Sequence, residues 1–515
     1  MAIKISLVLI FFAVMLAIGF YCRKHTTDVN GFVLGGRSVG PWLTAFAYGT
    51  SYFSAVVFVG YAGQFGWKYG ISATWAGIGN ALLGSFLAWT VLGRRTRIMT
   101  QHLNSATMPD FFGKRFDSDA LKIAASVITF VFMIPYTASL YNGLSRLFGM
   151  AFHIDYGICV IVMAVLTGVY VIAGGYMATA INDFVQGLVM LFGIVAVIAA
   201  VLISKGGFMA ALDKMARVSD PAISKTPGVF ASFFGPDPLN LFGVVLLTSL
   251  GTWGLPQMVQ KFYAIKSEKA IDTGTVVSTA FALIVAGGCY FLGGFGRLFA
   301  GQVNVLKDGY DVIVPTMISG LPDILIGIVV VLVLSASMST LSALVLTSSS
   351  TITLDLIRGQ SKKHFTDDTL VAFMRGLIVV FIAISVVIAL IQYHSNVTFI
   401  AQLMGISWGA MAGAFLAPFL YGLYWKGTTA AGCWASFIFA VVFMVTDLFA
   451  GAHLPALLQS PINAGAFCMI AGLVIVPLVS VFTRKPDPEK IEETFACYNK
   501  KVLVEQREAL SDSEK

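Results

Sequence analysis

The chain has 515 residues, of which 57% are hydrophobic and only 11% are charged, and its mean hydropathy is +0.84. Soluble globular proteins carry about 25% charged residues, so this composition excludes a mainly water-facing surface and indicates an integral protein of a lipid bilayer. The net charge of +7 suits basic residues gathered in cytoplasmic loops, and nucleic-acid binding is not expected.

Apolar stretches long enough to cross a bilayer recur from one end of the chain to the other. A spanning helix needs about 20 mainly apolar residues, and this length predicts an all-α membrane protein with about 13 transmembrane helices. The predicted helices cover residues 4–22, 41–62, 70–92, 120–150, 155–174, 178–203, 239–262, 271–297, 321–346, 368–392, 397–424, 429–450 and 461–482.

Basic residues mark every second connection between these predicted helices. If the N-terminus lies outside, the marked connections all fall on one side, which the positive-inside rule identifies as the cytoplasm. We therefore expect a multi-pass plasma-membrane protein with a cytoplasmic C-terminus, although basic residues in the loop 204–238 oppose this orientation. The marked clusters are Arg23-Lys24, Arg94-Arg95-Thr96-Arg97, Lys114-Arg115, Lys266 with Lys269, Lys362-Lys363 and Arg484-Lys485.

Two of the predicted helices are interrupted by polar stretches that contain glycine or proline. The second contains Tyr48-Gly49-Thr50-Ser51-Tyr52-Phe53-Ser54, and the seventh contains Gly251-Thr252-Trp253-Gly254-Leu255-Pro256. The two helices are five apart, so they occupy equivalent positions if helices 2–6 and 7–11 are inverted repeats. Broken helices at matching positions are typical of binding sites in membrane carriers. The alternative is a pair of ordinary kinked helices, because Gly and Pro are frequent in membranes.

The ninth predicted helix carries a dense run of small hydroxyl residues. Helical spacing places Ala336, Ser339, Thr340 and Ala343 on one stripe. Hydroxyls beside carbonyls that a helix break has freed form a hard oxygen site suited to sodium, whereas the alternative is a surface for close helix packing. The Ser348-Ser349-Ser350 cluster is expected to end this helix.

Charged residues are rare inside the predicted helices. Placing a charge in the bilayer costs free energy, so those that occur there are functional candidates. Asp183 in the sixth helix is the clearest of them, and its alternative interpretation is a carboxylate that meets water at the inner interface. The six histidines are scattered, which disfavours a membrane enzyme. The sequence contains no repeated filter motif of the kind that would indicate a channel.

Four stretches of the chain resemble motifs of the sodium:solute symporter family. Phe32 to Ser38 resembles the loop before its first core helix, and Thr107 to Phe112 resembles its "TxPDxF" loop. Gly174-Gly175-Tyr176 with Asn182 to Gln186 resembles its sixth-helix signature, and Ser337 to Thr340 resembles its sodium-site helix. Their order and spacing, together with the helix layout, extend the resemblance over nearly the whole chain.

The resemblance implies a leucine-transporter-type core of two inverted five-helix repeats at about residues 41–203 and 239–424, within a transporter domain of residues 1–483. Residues 484–515 are expected to form a charged cytoplasmic tail. The implied function is symport of a small solute with sodium by alternating access, without enzyme activity and without an obligatory protein partner.

The resemblance also implies a main sodium site between the second and ninth helices. A second site of some family members is matched here by Asp183, Ser339 and Ser342 but not by Ala343. We therefore expect one sodium ion, with Asp183 assisting its entry or release. The ligands implied for the main site are the backbone carbonyls of Thr50, Phe53 and Ala336 and the hydroxyls of Ser339 and Thr340.

The solute is predicted from departures from the family's patterns. Proline transporters place an aspartate and a tryptophan where this chain has Tyr52 and Val56, and only Tyr136 matches their pattern. The run Phe53-Ser54-Ala55-Val56 is more similar to the monocarboxylate and pantothenate branch, which favours a small organic anion. A proline-like amino acid symporter and a proton-coupled symporter are the alternatives. The predicted solute contacts are Tyr52, Ser54, Tyr136, Thr248, Thr252 and Trp253.

Overall fold

Helices supply the regular secondary structure in the part of the chain that the computed structural model describes, which is residues 2–23, 28–359, 361, 365–395 and 400–499. In hydrocarbon every backbone N–H and C=O needs an internal partner, and a helix provides those partners from within its own segment. The predicted all-α fold is confirmed for these residues.

We number the longer helices in chain order. Short π-helical turns at Val56–Tyr61, Asn80–Leu87, Trp89–Gly93 and Ile352–Arg358 extend some of them. The numbered helices are α1 (Ala2–Cys22), α2 (Pro41–Tyr52), α3 (Ala62–Tyr69), α4 (Thr74–Gly79), α5 (Arg94–His102), α6 (Met108–Phe116), α7 (Asp119–Phe152), α8 (Tyr156–Ser204), α9 (Phe208–Ala216), α10 (Pro238–Gly254), α11 (Pro256–Ala264), α12 (Glu268–Gly293), α13 (Asp323–Thr351), α14 (Asp367–Ser395), α15 (Ile400–Tyr424), α16 (Ala430–Ala450), α17 (Pro461–Phe482) and α18 (Pro488–Ala496).

Ten helices within the described residues are long and apolar enough to cross a membrane, or eleven if the bent pair α10–α11 counts as one span. Two of the ten, Val56–His102 and Tyr156–Ser204, are 47 and 49 residues long. At about 1.5 Å per residue, each contains enough residues for roughly 70 Å of helix. That is more than twice the hydrocarbon thickness of about 30 Å. The multi-pass prediction is therefore confirmed, whereas the count of 13 is not.

Two predicted helix ends differ from the structure. The connection predicted between residues 174 and 178 is reduced to Gly175, whose combination of φ 54° and ψ −149° is readily adopted only by glycine. The end predicted at the serine cluster is wrong, because the helix continues through Thr351 and the π-helical turn to Arg358. The hydroxyls of Ser349 and Ser350 donate to carbonyl oxygens three residues earlier, at 3.0 and 3.1 Å, so the buried serines are satisfied within the helix.

Both predicted interruptions coincide with breaks in the helical backbone. After α2, Phe53 is extended, with φ −88° and ψ 122°. After α10, Leu255 is extended, with φ −86° and ψ 120°, and the chain bends there by 47°. One residue at each break therefore has the same extended conformation, although the sequences of the two breaks differ.

Residues in the connections that carry the predicted cytoplasmic charges meet at one end of the bundle. The Arg37 guanidinium donates to the backbone oxygens of Ser105 and Tyr263 at 2.6 and 3.2 Å. Arg95 donates to the backbone oxygen of Leu423 at 3.0 Å. Burial lowers the pKa of Arg37 to about 10, which leaves it charged at neutral pH. That this end faces the cytoplasm stays a prediction.

The charged tail predicted at 484–515 is described as far as residue 499. Its helix α18 lies against the same end of the bundle, where Lys490 pairs with Asp117 and Glu492 pairs with Lys426, each at 2.6 Å. Residues 500–515 lie outside the described residues. So do Lys24, Lys362 and Lys363 of the basic clusters and the start, 397–399, of the predicted eleventh helix.

Helices α3 and α12 cross with almost no distance between their backbones. A Cβ atom added to Gly66 would overlap the carbonyl oxygen of Gly293, and one added to Gly293 would overlap the carbonyl oxygen of Ala62. The crossing therefore depends on glycine in both helices. It packs the chain that follows the first break against α12, the helix after α11.

We expect Gly66→Ala to lower the free energy of unfolding by about 3 kcal/mol or more, because the new methyl group meets backbone that cannot rotate away. Gly376→Ala in α14 is the control, since a Cβ there meets no atom within 4 Å. It should be neutral or stabilise by up to about 1 kcal/mol through helix propensity. Thermal unfolding of the purified variants measures both, and equal midpoints would contradict the close crossing.

Candidate functional site

Hydroxyl groups of α13 meet backbone carbonyls at the end of α2. Ser339 Oγ donates to the carbonyl oxygen of Thr50 at 3.0 Å. Thr340 Oγ1 lies 3.3 Å from that oxygen and 3.4 Å from the carbonyl oxygen of Phe53. Both hydroxyls also lie close to the carbonyl oxygen of Ala336, at 3.0 and 3.1 Å. The structure thus brings together the five groups that were predicted as ligands of the main sodium site.

The break after α2 explains why these carbonyls are free to accept side-chain hydrogen bonds. In an uninterrupted helix the Thr50 carbonyl would accept from the N–H of Ser54, but the backbone is extended at Phe53. Beyond the break, Ala55 N–H donates to Ser337 Oγ at 3.2 Å, so α13 contacts both sides of the gap. Five uncharged oxygens form a hard donor set that suits a group 1 or group 2 cation better than a transition metal.

Aromatic side chains surround the predicted solute contacts beside this break. The ring centroids of Tyr52 and Tyr136 lie 5.8 and 5.9 Å from that of Trp408, and Tyr290 lies beside Tyr52. The hydroxyls of these tyrosines and of Ser54 and the Trp408 N–H are buried beside one another, and none of them reaches a partner at normal hydrogen-bonding geometry among the described residues. Buried polar groups are nearly always paired, so this aromatic cluster is the strongest candidate in the described structure for binding a polar ligand.

The three predicted solute contacts on α10 use their polar groups elsewhere. Thr248 donates to a carbonyl within its own helix at 2.8 Å. Thr252 donates to the Gly84 carbonyl and Trp253 Nε1 to the Leu83 carbonyl, each at 2.9 Å. These bonds attach α10 to the π-helical turn of residues 80–87. Only Thr248 is brought beside Tyr52, and a solute contact through the polar groups of Thr252 or Trp253 would require these bonds to break.

Asp183, on α8, is fully buried, and neither of its carboxylate oxygens has a hydrogen-bond partner among the described residues. Its ion-pair partner is Lys261 on α11, with Nζ 3.7 Å from Oδ2. Ser342, the other residue of the possible second site, donates to the Ser339 carbonyl at 2.8 Å. The alternative interpretation of Asp183 as an interfacial carboxylate is therefore wrong, because it lies inside the protein.

Sequence reasoning missed Lys261, Trp408 and Tyr290. Lys261 lies inside the predicted seventh helix, so the rule that selected Asp183 selects it equally. Trp408 and Tyr290 carried no comparable signal, because aromatic residues in membrane helices far more often pack in the core or at the interface than contact a ligand.

The sequence matches that of known transporters over nearly its whole length. The sodium:solute symporter family model matches residues 32–454. The sodium/proline symporter of Staphylococcus aureus is 30% identical over 502 residues, which are 93% of each chain. The osmoregulated proline transporter OpuE of Bacillus subtilis is 29% identical over 491 residues, which are 94% of this chain and 96% of that protein.

Solved structures show the same fold. A Na+-coupled sialic acid symporter in its substrate-bound outward-open state matches with a TM-score of 0.74, covering 94% of this chain and 98% of that chain. A manganese transporter of Eremococcus coleocola matches with a TM-score of 0.51, covering 86% and 95%. At 16% and 12% identity these structures establish the leucine-transporter-type fold alone.

We expect Trp253→Phe to lower the free energy of unfolding by about 2 kcal/mol more than Trp408→Phe. Both changes remove an indole N–H and a similar volume, but only Trp253 donates a hydrogen bond of normal geometry to a backbone carbonyl, and its loss leaves the Leu83 carbonyl without that donor. Thermal unfolding of the two variants makes the comparison. Equal losses would show that the Trp253 bond does not anchor α10.

Proposed function

This chain belongs to the sodium:solute symporter family, and we propose that it imports a proline-like amino acid together with sodium by alternating access. The supporting observation is its 29–30% identity with two proline transporters over nearly their full length. The organic anion that the sequence motif favoured has less support, because that motif spans four residues. The family consists of secondary transporters, so a solute and sodium are the substrates and no catalysis is involved.

Sodium coupling is supported by the oxygen groups that meet between α2 and α13. The carbonyls of a broken helix and the hydroxyls of a facing helix are the donors that bind sodium in carriers of this architecture. If the Ser339 and Thr340 hydroxyls turn their lone pairs inward, they join three carbonyl oxygens around one point. We propose this point as the sodium site.

The aromatic cluster supports an amino acid as the solute. Its described polar groups are tyrosine and serine hydroxyls and an indole N–H, all uncharged. A proline-like zwitterion can pack its apolar ring on Trp408 and direct its cationic nitrogen at the tyrosine faces and oxygens. Its carboxylate would then accept from Ser54 and lie near the positive end of the helix that resumes at Ala55.

Sodium and solute would be coupled through the five residues from Thr50 to Ser54. The carbonyls of Thr50 and Phe53 face the proposed sodium site, while Tyr52 and Ser54 belong to the proposed solute site. An ion that fixes the carbonyls of Thr50, in the last turn of α2, and of Phe53, at the break, therefore also fixes the side chains that bind the solute. Each ligand then raises the affinity for the other by the same factor.

We further propose a transporter domain of residues 1–483 with repeats at about 41–203 and 239–424, an outside N-terminus and a cytoplasmic tail. The same extended conformation of Phe53 and Leu255 at the two breaks supports the repeats. Proton coupling is less favoured, because Asp183, its candidate carboxylate, is paired with Lys261.

Uptake by proteoliposomes tests the proposed function. We expect labelled proline to accumulate when sodium is supplied outside and not when potassium replaces it, because the sodium gradient drives the solute inward. Pantothenate, short monocarboxylates and sialic acid serve as competitors. Sodium-dependent uptake of an organic anion without inhibition by proline would overturn the proposed solute. Uptake driven by a pH gradient alone would overturn sodium coupling.

Ser339→Ala should raise the sodium concentration for half-maximal uptake about tenfold, which corresponds to about 1.4 kcal/mol of lost binding. Ser350→Ala is a matched control. Both serines are buried in α13 and donate to the carbonyl three residues earlier, but of the two only Ser339 also reaches Thr50. Initial uptake rates over a sodium titration provide the measurement. An unchanged sodium requirement in Ser339→Ala would show that the ion binds elsewhere.

A further inference from the structure

A lysine ammonium group lies beside the carboxylate that the possible second sodium site requires. Lys261 Nζ is 3.7 Å from Asp183 Oδ2, and the two side chains are 2% and 0% exposed. A buried carboxyl group that stays ionised needs a cation beside it, which is either a bound ion or a cationic side chain. In this chain the side chain of α11 supplies the positive charge.

The residues around the Lys261 ammonium group hold it in place. The Tyr176 ring, from the start of the same half of α8 as Asp183, lies 5.1 Å from Lys261 Nζ and adds a cation–π contact. The neighbouring Gln260 fixes the rotation of α11: its Nε2 donates to the Val33 carbonyl at 3.1 Å, and its Oε1 accepts from Thr347 Oγ1 at 2.7 Å. Lys261 is therefore directed at Asp183 by α11 as a whole.

We propose that Lys261 acts as a tethered cation that occupies the place of a second sodium ion at Asp183. Two positive charges side by side repel each other strongly in a buried site, so the ammonium excludes sodium from this carboxylate. The transporter would then bind sodium at the α2–α13 site and nowhere near Asp183. This inference deepens the proposed function and rests on it for the main sodium site.

The pair also links two helical segments that stand in different relation to the breaks. Lys261 belongs to the half-helix after the second break, whereas Asp183 lies on the unbroken part of α8 beyond Gly175. A bound sodium ion can leave the site during a transport cycle, but a lysine cannot. The charge at Asp183 is therefore supplied without drawing on the sodium gradient.

Equilibrium binding of radioactive sodium to the purified full-length protein tests the proposal. Measurements are made over a pH series up to about 9.5, because burial disfavours the charged form of a carboxyl group that has lost its cationic partner. We expect Lys261→Met to bind one more sodium ion per protein than the wild type, because the carboxylate then lacks its cation. Lys261→Arg, which keeps the charge, and the double variant Asp183→Asn/Lys261→Met, which removes both charges, should bind the wild-type number.

The increment between variants tests this inference, whereas the wild-type number tests the proposed function. A folded Lys261→Met protein that binds no additional sodium would overturn the tethered-cation proposal, even if the wild type binds one ion. A double variant that binds one ion fewer than the wild type would overturn it as well, since sodium would then have been bound at Asp183. A wild type that binds none would overturn only the main sodium site.

The double variant keeps the proposal testable if Lys261→Met alone does not fold. It removes both members of the ion pair, so no buried charge is left uncompensated. Thermal unfolding identifies which variants are folded before sodium binding is measured.

Discussion

The need to satisfy every backbone hydrogen-bonding group inside hydrocarbon is the constraint on which this structure depends. A helix meets it within its own segment, and a break is tolerated only where other protein groups replace the lost bonds. At the first break the replacements come from α13, whose Ser339, Thr340 and Ser337 contact carbonyls and an N–H of the interrupted chain. The hydroxyl-rich stretch of α13 therefore lies opposite the break for a structural reason before any ion is considered.

The same contacts give the break its capacity to bind an ion reversibly. A serine or threonine hydroxyl both donates and accepts, so it can hold a carbonyl by hydrogen bonding or turn its lone pairs towards a cation. Exchange between these two arrangements requires rotation of two hydroxyls and no displacement of a helix. The proposed sodium site is thus built from groups that are satisfied in both arrangements.

Buried charge is treated in two ways in the core. The α2–α13 site gathers uncharged oxygens, so a cation that binds there brings the only net charge. Asp183 instead belongs to a buried ion pair, in which Lys261 supplies the opposite charge from within the protein. Close packing beside the second break depends on glycine. Gly251 and Gly254 allow α10 to lie directly against Trp408 and the backbone of α15. The aromatic cluster is held between these two breaks.

The sequence by itself determined the membrane class, the position of both breaks and the five groups that meet at the first break. These follow from local signals: apolar length, a Gly- or Pro-containing interruption, a hydroxyl stripe at helical spacing and the family motifs. Tertiary structure decided what lies opposite each of these. It paired Asp183 with Lys261, turned Thr252 and Trp253 towards residues 83–84, and brought Trp408 and Tyr290 to Tyr52. Contacts between helices remote in sequence depend on rotation and crossing of whole helices, which no local pattern of residues encodes.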